Sequence, residues 1–336
     1  MLAAETSVDL VLAGGGVLSL ALAGAVAELA RAGYSFVRTA GTSGGSIVGA
    51  MVAALEASGA DVAGSIIDIA RDIPFETFTA PPSHRLFKPF IEVSSLVRKA
   101  GLHDGVALRD WLSATLADLG VRTFGDLRLP DEHRVGEPAR QECRLVVTAS
   151  DISIAAPVTW PWDCPKYGIA ADRLRVADAI RMSTAVPFFF TPVRFRSAQG
   201  QVHTIVDGGI FSNCPVTIFD PVGGGRPHRP VIAVNLHGLM PHDDRHVRRV
   251  SGPLSLGHCI ANSMMSACDA TILDDPRHME RTISIPATRY RTNALNFHLS
   301  GRQKEKLIDV GRAAAAEFLA TWDFGRYCER YHPVIF

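Results

Sequence analysis

A G-x-S-x-G pattern at residues 41–45 places Ser43 between a short segment, 36–40, and an alanine-rich stretch, 46–57. The segment predicts a strand and the alanine-rich stretch predicts a helix. A nucleophilic serine needs such a strand-to-helix turn, because small neighbours let the backbone fold tightly and leave the hydroxyl exposed. The helix N-terminus also brings backbone amides to the point where negative charge develops during acyl transfer. We therefore predict that Ser43 is a nucleophile, although structural glycine turns match the same pattern.

Three consecutive glycines, Gly14, Gly15 and Gly16, follow the apolar run 8–13. Successive glycines can direct backbone N–H groups toward one point without intruding side chains, which is what an oxyanion requires. A dinucleotide-binding loop is the rival interpretation. That loop needs a glycine where Ser19 stands, and it needs an acidic residue about 20 positions further on, which is missing. The sequence therefore favours an oxyanion hole formed by this loop, with Gly44 as a further donor.

Asp207 ends a predicted strand and is followed by Gly208 and Gly209. A carboxylate at the end of a strand, beside unhindered backbone, is well placed to act as a general base. It would take the proton from Ser43 and later return it to the leaving alcohol. For this role its pKa should be raised by a dry pocket. An Asp-Gly turn without catalytic function is the common alternative, so Asp207 is a candidate only together with the other two segments.

Strands and helices alternate around these residues, and this alternation is typical of a three-layer α/β/α fold. The strands deliver each candidate residue to a turn, and the helices follow the turns. We expect one domain over residues 1–336. The predicted strands cover 8–13, 36–40, 144–149, 202–206, 231–236 and 282–285, and the predicted helices cover 18–29, 46–57, 106–119, 252–273 and 303–322.

The stretch 71–105 interrupts the alternation with prolines and phenylalanines, which predicts a lid or insertion near the site. Phenylalanines beside basic residues would suit a surface that enters a lipid headgroup layer. Packing of the same rings over the core is the alternative. The residues concerned are Phe75, Phe78, Phe87 and Phe90, with Lys88, Arg98 and Lys99.

Together, the three glycine-flanked segments resemble those of the patatin-like phospholipases, which carry a glycine-rich loop, a G-x-S-x-G and a D-G-G/A in this order. Residues 149–151, 179–189 and 207–216 are similar to further motifs of that family and extend the resemblance over most of the chain. The resemblance implies a mostly parallel sheet between helices. It also implies a Ser43–Asp207 dyad without a histidine, an oxyanion hole from residues 14–16, and lipid acyl esters as substrates, in a phospholipase A-type reaction.

Two positions depart from the family pattern. Leu18 stands where a basic residue is usual, and Ser19 stands where a glycine is usual. A weaker or less phospholipid-selective esterase is therefore one variant of this prediction.

Composition excludes several other classes of function. Lys and Arg together number 34, as do Asp and Glu, so no net charge draws the chain to nucleic acid. The six cysteines lack the spacing of metal ligands, and we expect neither a metal nor a cofactor. The uncharged segment 10–27 lacks the basic flank of a signal peptide. We expect a cytoplasmic protein with peripheral contact at membranes, and the sequence identifies no protein activator.

Two alternatives stay open. An α/β-hydrolase also uses G-x-S-x-G, but within a Ser–His–Asp triad, for which His237, His258 and His298 are available. A non-catalytic or weakly active lipid-binding homologue is the other, with Leu18 as a sign of a decayed site.

Overall fold

Strands form the centre of the fold. The computed structural model describes residues 6–79, 101–130, 142–221, 225–237, 275–286 and 294–333, with a few isolated positions between 250 and 263. The described strands are β1 (Ser7–Leu12), β2 (Ser35–Thr42), β3 (Gly101–His103), β4 (Leu145–Asp151), β5 (Ala156–Trp160), β6 (Phe188–Phe190), β7 (Val193–Arg196), β8 (Val202–Asp207), β9 (Val231–His237) and β10 (Thr282–Pro286).

The main sheet has the order β10-β9-β1-β2-β4-β8-β7, and β5 also pairs with β4. The pairs among β10, β9, β1, β2 and β4 are parallel. The pairs made by β5, β7 and β8 are antiparallel, and β3 pairs with β6 in a separate two-stranded sheet. The prediction of an α/β fold with a mostly parallel central sheet is therefore confirmed.

Both faces of the sheet are buried, as β1 shows. Leu10 and Leu12 join the large core formed with the helices, whereas Val11 and Ala13 pack on the other face against a cluster that includes Val216. A strand that is buried on both faces needs apolar side chains at successive positions. This is why the segment 8–13, which is apolar except for Asp9, was recognisable as a strand in the sequence.

Helices flank the sheet, and the first two begin directly after the turns that follow β1 and β2. The helices predicted at 18–29, 46–57, 106–119 and 303–322 are all present. The described helices are α1 (Ser19–Arg31), α2 (Gly44–Ser58), α3 (Val62–Asp72), α4 (Phe75–Phe78), α5 (Val106–Asp118), α6 (Val176–Ser183), α7 (Pro276–Met279), α8 (Gly301–Leu319) and α9 (Phe324–Tyr331).

The start of the predicted lid belongs to the body of the fold. Phe75 and Phe78 are buried, and their rings pack edge-on against each other and near Phe297 and Trp111. These two rings therefore cannot join an interfacial surface. Residues 80–100, with the other lid residues, lie outside the described part of the chain, as does nearly all of the helix predicted at 252–273.

Candidate active site

Two strands meet end to end along one edge of β4. The last residue of β2, Thr42, lies opposite Thr148 of β4. β8 approaches from the opposite direction, and its last residue, Asp207, lies opposite Ala149. Both strands use the same edge, because β5 occupies the other edge of β4 at these positions. Ser43 directly follows Thr42, so the two candidate catalytic residues converge where β2 and β8 meet.

Ser43 adopts a backbone conformation that is unfavourable for a residue with a side chain. Its φ is 50° and its ψ is −124°. Such conformations cost about 1–3 kcal/mol and persist only where the surroundings impose them. The Ser43 N–H donates to the hydroxyl of Ser183 over 2.8 Å, and the Ser43 carbonyl accepts from the Ser46 amide over 2.9 Å. The turn thus has the sharp, held geometry that exposes a nucleophile at a helix start.

Asp207 is a buried carboxylate with incomplete hydrogen bonding. Its Oδ1 accepts from the Gly209 amide over 2.9 Å, whereas Oδ2 has no hydrogen-bond partner in the described part of the chain. Burial raises the pKa of Asp207 to about 6, against a smaller opposing effect of the Ser43 hydroxyl and the Gly209 amide. The Ser43 hydroxyl is therefore close to the carboxylate, in a contact looser than a regular hydrogen bond. A carboxylate whose pKa is near neutrality suits a general base.

The glycine loop lies directly against Ser43. A Cβ atom on Gly14 would stand 3.1 Å from the Ser43 Cβ and 2.3 Å from the Asn213 Oδ1, so a side chain here would have to displace Asn213. The Gly14 N–H is already occupied, because it donates to the Asn213 carbonyl over 3.0 Å. Across the described ranges, the N–H groups of Gly15 and Gly16 donate to no acceptor. Two of the three predicted donors are thus free, and Gly14 anchors the loop.

Gly44 joins the loop to α2. A Cβ atom on Gly44 would stand 2.7 Å from the Gly16 carbonyl oxygen and 3.1 Å from its nitrogen, which shows how closely the two backbones approach. As the first residue of α2, Gly44 has an N–H without an intrahelical acceptor, and no other described group accepts it. The positive end of the α2 dipole lies at the same place. Free amides from two segments therefore lie side by side next to Ser43.

The two departures from the family-like pattern are both buried. Leu18 belongs to the core, and the Ser19 hydroxyl has no hydrogen-bond partner among the described residues. The Ser19 Cβ lies 3.0 Å from the place that a Cβ on Gly44 would take. Leu18 and Ser19 thus contribute packing behind the amides, and they offer no positive charge to a substrate.

Histidines do not reach the candidate pair in the described part of the chain. His298 is exposed, whereas His258 and the side chain of His237 lie outside what the structure describes. A buried His–Asp pair does exist, since His203 Nδ1 lies 2.6 Å from Asp151 Oδ2. Asp151 also accepts from the Tyr167 hydroxyl over 3.1 Å, and no hydrogen bond connects this cluster to Ser43.

Two residues at the site had no role assigned from the sequence. Ser183 accepts the Ser43 N–H, and Asn213 fixes Gly14 through its carbonyl and through a 3.4 Å hydrogen bond from Nδ2 to the Gly14 carbonyl. Both lie in segments, 179–189 and 207–216, that carry the family resemblance. The motifs indicated the right segments, but not which side chain would contact which partner.

Every helix within the described ranges falls short of the length and apolar character needed to cross a lipid bilayer.

Comparison with known proteins extends these observations. The sequence model of the patatin-like phospholipases matches residues 10–220. The "Uncharacterized protein YqhO" of Bacillus subtilis (strain 168) is 30% identical over 318 residues, which is 94% of this chain and 99% of that protein.

Two crystal structures match the chain at lower similarity. VipD from Legionella pneumophila gives a TM-score of 0.45 at 15% identity, covering 95% of this chain and 67% of VipD. The type III effector protein ExoU, from Pseudomonas aeruginosa, gives a TM-score of 0.45 at 14% identity, covering 94% of this chain. This chain spans about half the length of ExoU, 53%.

Proposed function

The chain belongs to the patatin-like phospholipase family, and on that premise we propose that it hydrolyses lipid acyl esters with Ser43 as nucleophile and Asp207 as general base. The observation that carries the proposal is the convergence of these two residues at the meeting point of β2 and β8. The strained backbone of Ser43 and the raised pKa of Asp207 support it independently. The three observations concern different properties of one small region.

Acylation begins when Asp207 takes the proton from the Ser43 hydroxyl as the oxygen attacks the ester carbonyl. The carbonyl oxygen becomes an oxyanion, and the free N–H groups of Gly15, Gly16 and Gly44 are the donors available to it. Gly14 takes no direct part, because its N–H bonds to Asn213. Collapse of the tetrahedral intermediate breaks the ester bond, and the proton held by Asp207 passes to the leaving alcohol.

Deacylation repeats the same steps with water in place of the serine. Asp207 takes a proton from water, which attacks the acyl-enzyme and forms a second oxyanion at the same amides. Collapse returns the proton to Ser43 and releases the fatty acid. Both steps require Asp207 in its ionised form when the nucleophile arrives. A pKa of about 6 keeps most molecules ready at neutral pH while leaving the carboxylate basic enough to accept a proton.

An exposed apolar patch near the site is our candidate for contact with a lipid surface. It consists of Leu102, Val106 and Phe188, which are 49%, 46% and 37% exposed. β3 and β6 bring Gly101 opposite Phe188, and Phe188 comes three residues after Ala185, whose carbonyl accepts the Asp207 N–H. Apolar side chains beside a lipid-hydrolysing site suit insertion at a membrane surface. This patch takes the place of Phe75 and Phe78, which are buried.

The test compares wild type, Ser43→Ala and Asp207→Asn on mixed phospholipid vesicles and on a soluble p-nitrophenyl ester. Release of fatty acid from vesicles that disappears in both variants would support both the dyad and the phospholipase activity. Hydrolysis of the soluble ester alone would keep the dyad and move the substrate toward neutral esters, in line with the absence of a cation at Leu18. Full activity of Asp207→Asn would contradict the general-base role.

Folded wild type that hydrolyses neither substrate needs a further measurement, which is covalent labelling of Ser43 by a fluorophosphonate. Labelling would indicate a competent nucleophile that lacks its proper substrate or activator. Failure to label would favour a non-catalytic lipid-binding protein instead.

A further inference from the structure

The turn that ends α6 contacts both members of the dyad. The Ser183 hydroxyl accepts the Ser43 N–H over 2.8 Å, and the Ala185 carbonyl accepts the Asp207 N–H over 3.0 Å. These contacts join the turn to β2 on one side and to β8 on the other. Ser183 and Ala185 are themselves fully buried, so the turn is packed on all sides.

The contact with Ser43 is made at a point of backbone strain. Ser43 has a positive φ, and its carbonyl is held by both the amide and the hydroxyl of Ser46, over 2.9 and 2.6 Å. The Ser183 hydroxyl fixes the remaining backbone group of Ser43, its N–H. Strained conformations persist where surrounding contacts over-determine them. Without the Ser183 hydroxyl, the Ser43 N–H loses its hydrogen bond, and the backbone that directs the Ser43 side chain is held through the carbonyl alone.

Ser183 also determines which amides remain for the substrate. Because the Ser43 N–H points to Ser183, it is not available to an oxyanion, whereas the next amide along the chain, that of Gly44, is free. The Ser183 hydroxyl therefore gives two neighbouring amides different roles: the Ser43 N–H holds the turn, and the Gly44 N–H stays available to the oxyanion.

We propose that Ser183 is a positioning residue of the active site, which fixes Ser43 through its backbone while Ala185, in the same turn, fixes Asp207. The inference rests on the proposed function. It adds that the turn of Ser183 and Ala185 sets the distance between the nucleophile and the base. A serine is suited to this place because its short hydroxyl accepts a hydrogen bond at close range within a packed turn. Ser183 touches neither reacting atom, so its effect on the reaction passes through Ser43.

The neighbouring residue provides a matched control. Thr184 is buried, and its hydroxyl donates to the Ile180 carbonyl over 2.9 Å, within its own helical turn. Thr184→Val removes a buried hydroxyl from the same turn at nearly constant volume and leaves both dyad contacts in place. Ser183→Ala removes the hydroxyl that accepts from Ser43, and Ser183→Thr restores a hydroxyl at the same position.

The experiment measures kcat and KM for the soluble p-nitrophenyl ester, together with the rate of fluorophosphonate labelling, in folded wild type and these variants. Misplacement of a reacting group by about 1 Å can cost about 100-fold in rate. We expect Ser183→Ala to lower kcat by about 10- to 100-fold and to slow labelling similarly, with KM changed less than about threefold. Thr184→Val should keep kcat within about threefold of wild type, and Ser183→Thr should recover part of the loss.

Three results would overturn the inference: a kcat for Ser183→Ala close to that of wild type, an equal loss in Thr184→Val, or a loss confined to KM. If Ser183→Ala does not fold, Ser183→Cys takes its place, since its thiol keeps the volume but accepts hydrogen bonds weakly. Wild-type activity in that variant would contradict the role in the same way. Wild type that neither hydrolyses the ester nor labels at Ser43 would overturn the proposed function itself, and the role of Ser183 with it.

Discussion

Asp9 and Asp207 are equally buried, each about 1% exposed, but they lie in opposite surroundings. Asp9 lies near the start of β1, and its carboxylate forms two hydrogen bonds with the buried guanidinium of Arg38, one of them at 2.9 Å from Nε to Oδ1. Arg38 also lies over the Phe219 ring, 4.5 Å from its centroid. Asp207, at the end of β8, has no cation partner among the described residues and has one unpaired oxygen.

The two carboxylates therefore differ in purpose within one sheet: Asp9 stabilises the fold, and Asp207 is the proposed general base. A buried carboxylate that is paired with a guanidinium is difficult to replace, since loss of either partner leaves an uncompensated charge. A buried carboxylate without such a partner is destabilised in its ionised form and readily accepts a proton. The ion pair of Asp9 and Arg38 thus lies in the first halves of β1 and β2. Asp207, whose carboxylate has one unpaired oxygen, lies at the carboxyl end of β8, where β8 meets β2.

The largest expected effect is on activity. Asp207→Asn should lower kcat by about 10²–10⁴-fold, because the amide cannot accept the serine proton. Asp9→Asn, counted per folded molecule, should keep kcat within about threefold of wild type, since Asp9 lies at the other end of the sheet. Hydrolysis of the soluble ester, normalised to the folded fraction, measures both. Comparable losses in the two variants would remove the distinction between them.

The next effect is on stability. Asp9→Asn should lower the free energy of unfolding by about 3–5 kcal/mol, because it removes the carboxylate charge from a buried ion pair. Urea unfolding at neutral pH measures this loss. Replacement of both partners by apolar residues, Asp9→Leu with Arg38→Met, should recover much of it. A loss below about 1 kcal/mol for Asp9→Asn would show that the buried pair contributes no more to stability than an ion pair on the surface does.

A smaller effect of opposite sign is expected for Asp207. Its pKa in the folded state, about 6, lies above the ordinary value of 3.8, so the stabilisation from its protonated form is present below pH 3.8 and is lost as the pH rises through 6. The loss amounts to at most about 3 kcal/mol. Asp207→Asn lacks this titration, so its stability relative to wild type should rise between pH 4 and pH 8. A constant difference across that range in urea unfolding would contradict the raised pKa.

The smallest effect concerns the surface near the site. Leu102→Asp should reduce fatty-acid release from vesicles by about three- to tenfold while changing hydrolysis of the soluble ester less than twofold, because it places a charge in the apolar patch. Met279→Asp is the control, since Met279 is also exposed, at 60%, but ends α7, which precedes the edge strand β10, away from the dyad. Equal losses on the two substrates, or equal losses from the two variants, would remove the patch from the lipid-binding surface.

The sequence predicted what local patterns determine. β1, β2 and β8 were visible because each short stretch with apolar or β-branched residues runs into a glycine turn, and those glycines also marked the segments of the site. Several shorter elements had no prediction, namely the strands β3, β5, β6 and β7 and the helices α3, α4, α6, α7 and α9. α3 carries an Asp61 N-cap and a regular apolar spacing that would have revealed it, whereas β5 is short and only half-buried.

Contacts between distant segments were beyond the sequence. The hydrogen bond from Ser43 to Ser183 spans 140 residues, and the one from Asn213 to Gly14 spans 199. Neither leaves a periodic or compositional trace, because each depends on how β2, β8 and α6 come together on β4. For the same reason the sequence could name Gly14 as a donor but could not show that its N–H is already occupied.

The meeting of β2 and β8 on β4 also has a consequence during synthesis of the protein. The serine turn leaves the ribosome before its proposed base and the turn of Ser183, which follow roughly 140–160 residues later. At about 5–20 residues per second, the nascent chain carries the serine without its base for roughly 10–30 seconds. If the proposed centre is assembled from such distant pieces, partly made chains are inactive, and a chain truncated before residue 207 lacks the proposed base.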